Sequence, residues 1–233
     1  MKNNTLVFTA TFNESENIKN FLDKTLDVKN IDILIVDDNS PDGTAKIIKD
    51  FQKNYQNIKL IVRNGKEGLD TAHKLAYKYA KEEGYTNLIT MDADLSHDPS
   101  ILPLIVDNLD LHPFVLGSRY IKGGKCLMKG RRLLLSWFGN KLIRIISGIN
   151  SREFTTSYRG FNLDKLKGFS LNDIKSKGYS FFMETIYQIN KLGYKIYEIP
   201  IIFATRKQGK SKIPKIEIFR TLLNVFRLYF EKK

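Results

Sequence analysis

Residues 87–99 read NLITMDADLSHDP. Asn87–Met91 is short and apolar, as a buried strand requires, and it stops at Asp92 and Asp94, which flank Ala93. Asp98-Pro99 then has the form of a helix start. The same grammar recurs on both sides. Apolar runs Thr5–Ala10, Ile31–Val36 and Ile58–Val62 precede the polar turns TFNESE (11–16), DDNSPDGT (37–44) and RNGKEGLD (63–70), and Phe114–Gly117 is a fifth strand. Segments expected as helices begin near Ser15, Gly43, Leu69 and Asp98. This alternation predicts an α/β, Rossmann-like domain: a mostly parallel sheet with helices on both faces. Ligands of such sheets sit at the carboxyl ends of the strands, so the polar turns are where chemistry is expected.

Beyond Gly117 the character changes. A loop rich in Gly and Lys (118–130) leads into a basic, apolar helix near Arg131–Ile149, followed by EFTTSYRGFN (153–162), a helix near Phe181–Leu192 and a strand Lys195–Ile199. Residues 1–110 carry 13 Lys/Arg against 18 Asp/Glu, a net −5, whereas residues 111–233 carry 25 against 7, a net +18. No acid occurs between Leu111 and Arg152. Such a patch fits an anionic partner (nucleic acid, a membrane surface or a phosphorylated ligand), and equally a solvated basic face. Nucleic acid is disfavoured, because the acids of the strand-end turns would repel a phosphate backbone. A lone Cys126 reads as an intracellular chain. The N-terminal apolar run is too short for a signal peptide, and no uncharged run reaches the roughly 20 residues needed to cross a bilayer.

Two carboxylates at i and i+2 in a turn, Asp92 and Asp94, can converge on one hard divalent cation whose other ligands are diphosphate oxygens. The pair also fits ordinary loop acids ahead of a helix. Asp37 and Asp38 end the second strand, where acids can hold ribose hydroxyls or base amino groups. A response-regulator receiver domain carries a similar ILIVDD stretch, but at its first strand and in a much shorter domain. His73 and His112 are expected to be structural, whereas His97, inside the Asp92–Asp94 loop, stands where it can reach a metal or a pyrophosphate.

Taken in order, TFNESENI, VDDNSPDGT, GLDTAHKLA, MDADLSHDP, GSRY, RRLLLSWFGN, TTSYRGF, GYSFFMETIY and IPIIFATRKQGKSK resemble glycosyltransferase family 2, and within it the dolichyl-phosphate (polyprenyl-phosphate) mannose synthases. The resemblance spans residues 5 to about 212. It implies a GT-A type fold, with a catalytic domain over 1–212 divided into a nucleotide-binding half (1–117) and an acceptor- and membrane-facing half (118–212). It implies an inverting transfer of a sugar, with mannose from GDP-mannose favoured and a UDP-sugar such as UDP-glucose the alternative, onto a polyprenyl or dolichyl phosphate. Carried over by position, Ala10, Phe12, Glu14, Val36, Asp38 and Ala93 would contact the nucleotide. Asp92 and Asp94, with Ser96, would hold Mg²⁺ or Mn²⁺. Arg119, Arg206 and Lys212 would surround the phosphates as catalytic and nucleotide-binding groups, and Arg131, Arg132 and Ser136 would receive the lipid phosphate. Asp70, Glu153 and Ser157 stand where the family usually has Gly, Asp and Gly.

The last segment, 213–233, is expected to form an amphipathic helix, since Ile216, Phe219, Leu223, Phe226 and Phe230 share one face. It can pack on the domain or lie in a membrane interface. The expected setting is therefore peripheral, on the cytoplasmic face of a membrane with anionic lipid, with a small membrane-protein partner compatible with it.

Overall fold

The computed structural model describes residues 4–205. The segment 213–233 lies outside them, as do Arg206 and Lys212. The first half follows the alternation expected from sequence: β1 (Thr5–Thr11), α1 (Ser15–Leu26), β2 (Ile31–Asp37), α2 (Thr44–Gln52), β3 (Ile58–Val62), α3 (Leu69–Glu82), β4 (Asn87–Thr90), α4 (Leu102–Leu109) and β5 (Phe114–Ser118). One short 3-10 turn, Pro99–Ile101, precedes α4, capped by the Asp98 side chain on the Ser100 N–H. The second half adds β6 (Lys125–Cys126), α5 (Arg131–Ser147), β7 (Arg159–Asn162), α6 (Tyr179–Lys191), β8 (Tyr197–Pro200) and β9 (Ile202–Phe203).

A seven-stranded sheet runs in the order β3-β2-β1-β4-β7-β5-β8. Every pairing in it is parallel except those of β7, which is antiparallel to both β4 and β5. Both faces are covered, and β1 and β2 show why the sequence reads as unbroken apolar runs. Leu6, Phe8, Leu34 and Val36 pack on one face with α3 and α6, while Val7, Ile33 and Ile35 pack on the other with α1, α2 and α4. Period-two alternation thus separates two cores rather than a core from solvent.

β7 lies within EFTTSYRGFN (153–162), a stretch whose sequence predicts neither strand nor helix. Its reversal matters, because an antiparallel strand begins at the edge where its parallel neighbours end. Residues 153–158 therefore enter the sheet beside the carboxyl end of β4. Arg159 secures this entry: wholly buried, it donates to the carbonyls of Thr156, Phe154 and Phe182 at 2.7, 2.9 and 2.7 Å. Gly160 lets β7 approach α4, since a Cβ there would lie 2.6 Å from Ile105 Cγ2 and 3.0 Å from Leu109 Cδ1. The Gly160→Ala variant should lose about 1–3 kcal/mol of stability through overpacking. An unchanged urea midpoint would show that this contact is slack.

Candidate active site

The strand order reverses between β1 and β4, so the crevice of the sheet opens at their carboxyl ends. Three loops meet there. In the loop after β4, the Asp94 carboxylate accepts the Ser96 N–H at 3.0 Å, and Asp92 Oδ1 accepts the Ser157 hydroxyl at 2.6 Å. Leu95, between them in this turn, has φ 60°, a left-handed conformation that a branched side chain adopts only at a cost. His97 sits fully buried beneath the turn. Its Nδ1 accepts the Asp92 N–H at 3.1 Å, which puts the ring proton on Nε2, facing Thr156 Oγ1 at 3.2 Å. Burial holds its pKa below the ordinary value of 6.5, against the pull of Asp92. His97 is a neutral prop for the turn, and the expectation that it reaches a metal or pyrophosphate does not hold.

The Ser96 hydroxyl is buried and has no hydrogen-bond partner among the described residues. An orphaned buried oxygen is unusual, and here it lies in the turn that carries Asp92 and Asp94. Two carboxylates and a hydroxyl are hard oxygen donors of the kind that suit Mg²⁺ or Mn²⁺. Among the described residues no group of three or more His, Cys, Asp or Glu side chains converges. The remaining ligands of such an ion would have to come from a bound diphosphate and water, the usual way magnesium is held.

The second loop follows β2. Asp37 turns inward, accepting from Thr11 Oγ1 at 2.7 Å and from the Ser40 hydroxyl at 2.6 Å, so it holds the turn together. Asp38 is bound by Arg63, whose Nε donates to Oδ1 at 2.5 Å. Burial pushes the Asp38 carboxyl above its ordinary value while Arg63 opposes the rise. Glu14, expected to touch the nucleotide, accepts from Asn17 Nδ2 at 2.7 Å in the first turn of α1, and its N–H donates to Thr44 Oγ1 at 3.0 Å. Lys66 lies over the Phe12 ring at 5.0 Å. The side chains of Val36 and Ala93 are buried in the two cores, and Ala10 packs against one of them.

The third loop is 153–158. Its Glu153 is wholly buried and pairs with Arg119 at 2.6 and 2.7 Å. Arg119 therefore does not stand as an open basic group. Glu153 takes its Nε and Nη2, and Phe203 covers it at 5.0 Å. Burial alone would raise the Glu153 carboxyl, but the charge and hydrogen bonds of Arg119 hold it below 4.5.

Arg131 and Arg132 are exposed at the start of α5, and Ser136 accepts the Tyr120 hydroxyl at 2.7 Å. Sequence reasoning missed Tyr179, half-buried at the start of α6. Burial pushes its hydroxyl up to about 12, and it feels the charges of Asp92, Arg119, Arg132 and Asp94. The turn that carries Asp92 and Asp94 and the arginines of α5 thus share one neighbourhood. Ala204 N–H donates to the Ser96 carbonyl at 3.0 Å, so the residue just after β9 docks on the same turn.

Residues 6–169 match the family described as glycosyl transferase family 2. An undecaprenyl-phosphate mannosyltransferase of Micrococcus luteus is 34% identical over 95% of this chain and 92% of its own length. The chain belongs to glycosyltransferase family 2. A polyprenol monophosphomannose synthase of Mycolicibacterium smegmatis is 32% identical over 95% of the chain and 85% of that protein. Among solved structures, the mannosyltransferase PcManGT of Pyrobaculum calidifontis, in complex with GDP-Man and Mn²⁺, superposes with a TM-score of 0.56. It is 17% identical, over 98% of this chain and 70% of that one. This likeness concerns the fold, and it agrees with the GT-A arrangement of sheet and helices. Glu153 and Ser157, the positions expected from the resemblance to differ at the third loop, are both engaged: Glu153 on Arg119, Ser157 on Asp92.

Because removing Glu153 would leave Arg119 buried without its counter-charge, Glu153→Gln should cost about 3–5 kcal/mol at neutral pH. The carboxyl's folded pKa is depressed, so its contribution is full above its ordinary value of 4.5 and fades as pH falls below it. Urea unfolding at pH 7 and near pH 4 checks this, with the variant's deficit shrinking in acid. Equal midpoints at pH 7 would show that the pair is not stabilising.

Proposed function

We propose that this chain transfers mannose from GDP-mannose to a polyprenyl phosphate, with inversion at the anomeric carbon and a β-linked product. The observation that carries this reading is the identity, near the full length of both partners, with proteins named as mannosyltransferases of undecaprenyl and polyprenyl phosphate. The site supports it. A phosphate monoester is largely dianionic at neutral pH, so it is its own nucleophile and needs no protein base. No buried Ser–His–Asp arrangement is required; the only histidine in the loop is a structural prop.

The residues then divide by task. Asp92, Asp94 and the Ser96 hydroxyl would hold Mg²⁺ or Mn²⁺, which when bound supplies Lewis-acid stabilisation to the departing diphosphate. Ser157 and His97 fix the orientation of Asp92, so the carboxylate is aimed before substrate arrives. Arg206 and Lys212, outside the described residues, are assigned to neutralise charge on the leaving group. Arg119, its charge matched by Glu153, shapes the third loop. Ala10, Phe12, Glu14 and Asp38 form the nucleoside end. Arg131, Arg132 and Ser136 are assigned to the acceptor phosphate.

The acceptor is confined to a lipid surface, and α5 has the chemistry to meet it. Leu134, Trp137 and Phe138 are 66, 49 and 59% exposed beside Arg131, Arg132 and Lys141. No helix among the described residues is long and apolar enough to cross a membrane. We assign α5 to the interface at the cytoplasmic face of a membrane containing anionic lipid, with its arginines contributing about 1 kcal/mol each. A membrane-protein partner is compatible with this arrangement.

Asp94→Ala should lower transfer by about 100-fold or more and remove the metal-dependent part of GDP-mannose binding, with melting unchanged. Full turnover in excess EDTA would sink the metal assignment, and preferential binding of a UDP-sugar would replace the donor. Trp137→Ser combined with Phe138→Ser should reduce pelleting with anionic liposomes while leaving GDP-mannose affinity intact. Equal pelleting of variant and wild type would move the membrane contact away from α5.

A further inference from the structure

Arg63 was not among the residues expected to act, yet its guanidinium is the most heavily bonded group at the nucleoside end of the site. Besides the bond from Nε to Asp38 Oδ1, Nη2 is in ionic contact with the same oxygen. Nη2 also donates to the Gly68 carbonyl at 3.0 Å, Nη1 donates to Thr71 Oγ1 at 2.6 Å, and Glu67 Oε2 lies 3.8 Å from Nη1. The Arg63 side chain is only 5% exposed and that of Asp38 10%. A guanidinium has five N–H groups in a rigid fork, and these contacts engage all three of its nitrogens. Arg63 therefore cannot bind a ligand itself without giving up part of this network.

Both of its contacts with Asp38 fall on Oδ1. The rotation of the carboxylate is thereby fixed, and the acceptor capacity of Oδ2 is directed away from the protein network. The same fork ties the end of β2 to the turn that starts α3, where Gly68 has φ 106°. We propose that Arg63 is a positioning residue for nucleoside recognition: it locks Asp38 so that Oδ2 accepts a hydrogen bond from an N–H of the base or a hydroxyl of the ribose. The proposal rests on the nucleotide-sugar reading above and deepens it. A carboxylate free to rotate would lose conformational freedom on binding, whereas one already held loses little.

The test is a double-mutant cycle on GDP affinity in excess Mg²⁺, with inorganic pyrophosphate as the control ligand. Arg63→Met and Asp38→Asn should each weaken GDP by about tenfold, the loss of one charge-assisted hydrogen bond. The double variant should bind no worse than the weaker single variant, because Arg63 acts through Asp38. Pyrophosphate affinity should not change. Independent, additive losses would overturn the proposal, as would equal losses for GDP and pyrophosphate, which mark a general structural role. If Arg63→Met does not fold, Arg63→Lys carries the same cycle, since a single ammonium keeps the charge but cannot span Asp38, Gly68 and Thr71. Dideoxy-GDP separates the two sources: it keeps its sensitivity to Asp38→Asn if the base donates the bond and loses it if the ribose does. Wild-type protein that binds neither GDP nor UDP would overturn the nucleotide reading itself, whereas wild-type binding that is indifferent to Asp38→Asn would overturn only the proposed role of the pair.

Discussion

A strand covered by helices on both faces can keep a charge along its length only where a partner meets it, as Tyr85 meets Asp32 in β2. Burying an unpaired carboxylate or guanidinium costs several kcal/mol, so ionisable groups collect where the strands stop. After β2 and β4 that rule places Asp38, Asp92 and Asp94 on one edge, and the reversal of strand order between β1 and β4 opens a crevice at the same edge. The site is a consequence of the covering. Among the charges that do enter the interior, Arg119, Arg159 and Glu153 are matched by a carboxylate, a set of carbonyls and a guanidinium respectively.

The one reversed strand, β7, shapes the second half of the site. Were it parallel, its entering loop would lie at the opposite edge of the sheet. Because it is antiparallel, Glu153, Thr156 and Ser157 arrive beside β4 and reach Arg119, His97 and Asp92. The polar network behind the turn that carries Asp92 and Asp94 is thus built from two distant stretches of chain joined by direction of travel. Arg159 holds the join by satisfying carbonyls that a turn at this place would otherwise leave bare.

Much of this was legible in the sequence, for a physical reason. Strands buried on both faces give continuous apolar runs, and β1 to β5 were expected within a residue or two of their observed ends. The start of α5 at Arg131 and the presence of α6 were also readable. β7 was not, because RGFN is short, carries a charge and has a glycine, all signals of a loop; its strand character comes from ladders on both sides. Among site residues, Asp92, Asp94 and Ser96 share the turn after β4, where Asp94 accepts the Ser96 N–H. The sequence could not say that Arg119 is held by Glu153, since the two are far apart in the chain, nor that Arg63 reaches Asp38 rather than solvent. A pairing that depends on tertiary approach leaves no local periodicity to read.

The strand order also sorts charge. The net-negative residues 1–110 supply β3, β2, β1, β4 and the first residues of the turns above them, while residues 111–205, with 16 Lys/Arg against 5 Asp/Glu, supply β7, β5 and β8. Chain order becomes position across the sheet, so the described residues carry an electric dipole lying along the sheet from one edge strand to the other. A body with such a dipole turns in an external field before it touches the surface that makes the field. Near any anionic surface the torque acts over roughly a Debye length, about 8 Å in physiological salt, and presents β8 and α5 rather than β3. Orientation is then selected in solution, ahead of any specific contact.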